Sequence, residues 1–127
     1  MIVKIADVFS KDSTLHVSFR SPTGNGVAVW IGSAPEVGQQ YDVELNLDNI
    51  FYWGENIKPA DSNVDFLYFK NGATHLVAEL ISVDDDNCAA IRIGGSVVLI
   101  EIDEAPAQKP SYVDLTTTEI HLHPTYV

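Results

Sequence analysis

The sequence predicts an all-β, mainly antiparallel domain, a small β-barrel or sandwich with an OB-like barrel favoured, and three observations lead there. Apolar and polar residues alternate with period two in Thr14-Leu15-His16-Val17-Ser18-Phe19-Arg20 and in Tyr41-Asp42-Val43-Glu44-Leu45-Asn46-Leu47. Turn residues recur at roughly ten-residue spacing, the rhythm of barrels and sandwiches. No stretch sustains the period of an amphipathic helix.

Taken in order, residues 2–9 and 27–31 are rich in the β-branched and aromatic types that suit a half-buried pleat. Between the second and third strands lies Ser21-Pro22-Thr23-Gly24-Asn25-Gly26, where Asn25-Gly26 is expected to supply the positive φ of the turn. In the Tyr41 strand, Val43, Leu45 and Leu47 face inward while Asp42 and Glu44 face water. Residues 54–65, with Pro59 inside, read as a long polar loop. Residues 66–69 form the next strand, and Lys70-Asn71-Gly72 is a hairpin signal. Residues 74–83 would also line one face of a helix, but their β-branched content and flanking turns favour a strand with a bulge. Asp84-Asp85-Asp86-Asn87 and then Gly94-Gly95 join the next strands into a meander. The chain thus reads as one domain over 1–127, with a barrel body at 1–102 and a linker and extended C-terminal tail at 103–127, in which 112–115 and 119–122 are candidate short strands that add an edge strand or wrap the body. No internal repeat or low-complexity tract is legible.

A chain of 127 residues, 46% of them hydrophobic, can bury one sufficient core without staples. The single cysteine, Cys88, opens an apolar run and reads as a small packing residue. The N-terminal residues are interrupted by Lys4, Asp7, Lys11 and Asp12, unlike a secretory leader, and no apolar run is long enough to span a membrane. A cytoplasmic location is the expectation. The net charge of −11 repels nucleic-acid phosphates and anionic lipid and favours encounter with a basic partner.

Chemistry-bearing motifs are weak. His121-Leu122-His123 could present two rings on one face of a strand, yet it reads as surface histidines, so no metal is expected. The Asp84–Asn87 run lacks the alternating ligands and central glycine of a calcium loop. Arg92-Ile93-Gly94-Gly95-Ser96 is flanked by strands, and a phosphate cradle wants a helix after its loop. Asp42, Glu44, Asp48 and Glu55 invite a paired-acid reading, but the first two belong to the wet face of a strand. No catalytic residue and no cofactor are assigned, and the chain is not expected to be an enzyme.

Phe51-Tyr52-Trp53 follows the acidic Asp48-Asn49, and such rings often anchor interfaces. In size, acidity, single-domain build and lack of catalytic motifs the chain resembles small acidic bacterial immunity proteins, which implies a role in neutralising a cationic toxin, often a nuclease. The strand-and-turn order is similar to that of an OB-type barrel; the singly spread basic residues argue against nucleic acid as its ligand. A protein-binding module for a basic protein partner is therefore the leading expectation, with Asp48, Tyr52, Trp53, Glu55 and Asp61 as the contact residues. The second acidic set, Glu79 through Glu104, ranks behind it for want of an aromatic. A small-ligand-binding barrel or enzyme, or an assembly subunit, are the alternatives.

Overall fold

Period-two burial organises residues 1–125, those described in the computed structural model, into twelve strands with no helix among them. They are β1 (Ile2–Lys11), β2 (Thr14–Ser21), β3 (Gly24–Trp30), β4 (Gln40–Asn46), β5 (Ile50–Phe51), β6 (Ile57–Pro59), β7 (Phe66–Lys70), β8 (Ala73–Val83), β9 (Cys88–Ile93), β10 (Ser96–Ile102), β11 (Tyr112–Thr117) and β12 (His121–Pro124).

The all-β expectation holds, and the first barrel is a closed ring of five strands. β1 pairs antiparallel with β2 and β4, β2 with β3, and β12 closes the ring, antiparallel to β4 and parallel to β3. Five strands in a ring match the strand number of an OB-type barrel. Closure leaves no bare edge on which another chain could template.

A second ring is built on the same plan. β8 pairs antiparallel with β9 and β11, and β9 with β10. Its fifth position is shared by two short pieces: β5 runs parallel to β10, and β6 runs antiparallel to β11. A bridge between Trp53 and Ile57 joins the pieces.

The two plans agree residue by residue. Ile5 faces Phe19 and Asp7 faces Ser18, with a bulge between Ile5 and Asp7. Leu80 faces Ile91 and Ser82 faces Ala90, with a bulge between Leu80 and Ser82. Phe19 then faces Gly26 as Ile91 faces Val98. Ile2 faces Asp42 as Val77 faces Asp114. A bulge bends its strand, so both long first strands can serve two sides of a ring. The chain is therefore a structural duplicate, although no repeat is legible in the sequence.

Each meander is closed by the other half of the chain. β5 and β6 leave the first meander and complete the second ring, while β12 leaves the second and completes the first. Leu122 is set opposite Leu45 and Trp30, and Phe51 opposite Ile102. All five are buried in one continuous core.

Three expectations are corrected here. The two short strands expected in the tail form as β11 and β12, but they are more than an added edge: Val113, Leu115, Ile120 and Leu122 are fully buried, and β12 closes the first ring. Residues 54–65 are not all loop, because Ile57 is buried and carries β6. The turn between β2 and β3 is Pro22-Thr23, and Asn25-Gly26 already lies in β3. The residue with positive φ is Gly24 (142°), where a Cβ would strike the Leu67 carbonyl as β7 passes. The other hairpins are as expected: Asn71-Gly72 and Gly94-Gly95 take positive φ throughout, as the tight hairpin turn demands. Of the predicted core, Val17, Phe19, Val43, Leu45 and Leu47 are buried and Leu15 is half-buried.

Candidate functional site

The duplicated frame gives each barrel an outer face built from its second and third strands. In the second barrel this face is β9 and β10, extended by β5. Alternation along β10 sends Val98, Ile100 and Ile102 into the core and leaves Val97 (58% exposed) and Leu99 (66%) bare. On β5 and just beyond it, Ile50 and Tyr52 are each 44% exposed, and Ile50 lies opposite Glu101. Exposed apolar groups gathered on one face differ from the single scattered ones of any surface.

Carboxylates rim this ridge on both sides. Leu99 borders two shallow depressions, one shared with Asp42, Glu44 and Val97, the other with Asp48, Cys88 and Glu101. Arg92 is the one basic side chain on β4, β5, β9 and β10, and it is engaged with Glu79 at 2.9 Å. Among the described residues no lysine lies on these strands to neutralise the rim, but the Met1 ammonium lines the first depression 3.2 Å from Asp42 Oδ1 and offsets that carboxylate. Cys88 is half-buried beside Glu101.

The sequence-named contact residues divide. Asp48 and Tyr52 lie on this face. Trp53 turns the other way: it packs against the core, and its Nε1–H donates to the Glu104 carbonyl at 2.9 Å. Its backbone N–H donates to Asp103 Oδ1 at 3.3 Å. Glu55 is exposed in the turn that follows, and Asp61 is exposed beyond β6, away from the ridge strands. Val97, Leu99 and Glu101 were missed as partners of Asp48, because only the parallel pairing of β5 with β10 merges the two acidic sets into one surface.

Next to Asp48 stands His121, whose Nδ1 is 3.2 Å from Asp48 Oδ2 and whose Nε2 is 2.9 Å from Glu119 Oε2. That contact ties the start of one crossover strand to the start of the other. His123 lies opposite Glu44. Among the described residues, no group of three or more potential ligands is placed to hold a metal.

The equivalent face of the first barrel, on β2 and β3, is furnished differently. Phe9 stacks on His16 at 5.5 Å, and Phe69 of β7 lines the same cleft as Val27. Together with Lys11 and Glu119 they line an open cleft of about 360 Å³. A second depression continues along β2 past Ser18 and Arg20. The interior of the ring is filled by core side chains, of which Ala28 and Ile120 line the first depression and Phe19 the second.

No helix among the described residues is long and apolar enough to cross a membrane. No protein-family model, curated protein or solved structure matches the chain, so the site rests on its own geometry.

Proposed function

We propose that the chain is a protein-binding module that engages a basic protein partner through the β5–β10–β9 face. The supporting observation is Leu99, the most exposed large apolar side chain of the ridge, set between two pairs of carboxylates: Asp42 and Glu44 on one side, Asp48 and Glu101 on the other. An apolar centre with a charged rim is the usual anatomy of a specific interface. The rim would steer a cationic partner, and Leu99 with Tyr52 would hold it. In its concrete form, supported by the compositional resemblance to immunity proteins, the partner is a cationic bacterial toxin that this face covers.

The test is binding of a purified basic protein, taken from the native cell by cation exchange, to wild type and to Leu99→Asp. The variant should lose the partner while Val27→Asp, at the equivalent place on the first barrel, keeps it. Equal binding by wild type and Leu99→Asp would overturn the assignment.

A second reading has one observation in its favour. The cleft between the Phe9–His16 stack and Phe69 is of a size for a small ligand, with Lys11 and Glu119 at its rim. A ligand there should perturb the His16 ring in NMR spectra and leave the signals of Leu99 unmoved.

A further inference from the structure

We infer that residues 1–60 and 61–125 are two mutually completing binding partners joined by one hinge, and that a second copy of the chain can take the place of the intrachain half. This stands independently of the partner proposed above.

Three observations lead to it. The fifth position of each ring is filled from the opposite half, so each meander by itself is an open barrel with an unfilled strand slot. The slot is specific: in the first ring Leu122 must meet Leu45 and Trp30, and in the second Ile57 must meet Leu115 and Phe51 must meet Ile102. The halves are joined covalently only once, between β6 and β7, by a strandless segment in which Asp61, Asn63 and Val64 are exposed.

A chain that opens at this join presents two slots and two free fifth strands. A second opened copy offers the same strands to the same slots, with every backbone and core contact kept and only the path of residues 60–65 changed. Exchange of identical elements is a low-cost route to a dimer, and a short hinge promotes it because the chain can no longer fold back. The occupant that fits is therefore another copy of this chain, for it alone carries both strands with their apolar spacing. The exchanged dimer would keep every ridge, since Leu99 and Glu101 come from one half and Asp48 and Ile50 from the other.

The experiment uses the full chain. Deleting Asp61–Val64 shortens the hinge while leaving Asp65, whose carboxylate accepts the Gly94 N–H. The variant should elute at twice the mass of the wild type with an unchanged far-ultraviolet dichroism spectrum. A monomer with native dichroism overturns the inference. Should that variant fail to fold, a second measurement decides. Tagged and untagged full-length chains carrying Cys88→Ala, Glu44→Cys and His123→Cys are unfolded together and refolded at high concentration. Residues 44 and 123 face each other across β4 and β12, so an exchanged pair joins a tagged to an untagged chain through a disulfide. Intrachain disulfides alone would refute exchange.

Discussion

The two barrels share a frame and differ in their skins. Position for position, His16, Ser18 and Arg20 on β2 correspond to Cys88, Ala90 and Arg92 on β9, and Asn25 and Val27 on β3 to Val97 and Leu99 on β10. In the first barrel β7 pairs alongside β3, and Phe69 lines the same depressions as the half-buried Val27. In the second, Val97 and Leu99 are exposed among the described residues. Inside, the corresponding residues Phe19 and Ile91, or Trp30 and Ile102, are all buried despite their different shapes. Ring closure demands apolar volume inside and is indifferent to what is carried outside. The outer faces are therefore where the two copies are free to acquire separate roles.

The sharpest way to break this comparison is to attack the closure that both barrels share. Phe51→Ala removes a fully buried ring from the fifth strand of the second barrel and should cost about 3–5 kcal/mol. Because Phe51 belongs to the half that forms the first meander, both barrels should feel the loss. Trp30 and Trp53 report on different barrels, so denaturant titrations of Trp53→Phe and Trp30→Phe backgrounds should shift together. A first barrel that keeps its midpoint would show two independent domains.

A smaller loss is expected where the barrels meet. Gly24→Ala places a methyl group against the Leu67 carbonyl at positive φ, and should cost about 1–3 kcal/mol in strain. The corresponding position in the second barrel, Ser96, has no strand crossing it, so Ser96→Ala should stay within about 0.5 kcal/mol. Equal midpoints for the two variants would mean that β7 does not fasten the halves.

On binding, Leu99→Ala should cost about 2 kcal/mol of affinity with little change in melting temperature. Val27→Ala, its counterpart, should leave affinity alone. The smallest effect belongs to the charges. Glu101→Lys or Asp48→Lys should slow association and flatten its salt dependence, while Asp61→Lys, off the ridge, should not. Stopped-flow association at two ionic strengths separates these cases.

Much of the frame was readable from residues. The alternation in 14–20 and 41–47 marked Val17, Phe19, Val43, Leu45 and Leu47 as core, and Asn71-Gly72 and Gly94-Gly95 announced their hairpins. The exchange was not readable, for physical reasons. β12 holds Leu122 between two histidines and β6 holds Ile57 before Lys58-Pro59, so each closing segment shows one buried side chain where a pattern needs several. The duplication was hidden because equivalent positions keep the pairing, and the core-facing ones their burial, without keeping the residue type. Asp48 and Tyr52 were legible as surface residues of an acidic, aromatic stretch. Leu99 was not, because its exposure follows from β10 having core on one side only and no described strand laid over the other.

One feature of the ridge reaches beyond recognition. It is stitched from both halves of the chain, Asp48 and Ile50 from before the hinge and Leu99 and Glu101 from after it. A partner seated there grips both sides of the seam at once and must release them before either crossover strand can leave its slot. Free partner at 1,000 times its Kd would deepen the closed state by about 4 kcal/mol. Amide protons in β5 and β12, on opposite sides of the molecule's covalent middle, should then exchange more slowly by a common factor. The bound protein would act as a latch, and occupancy would be written into the lifetime of the fold.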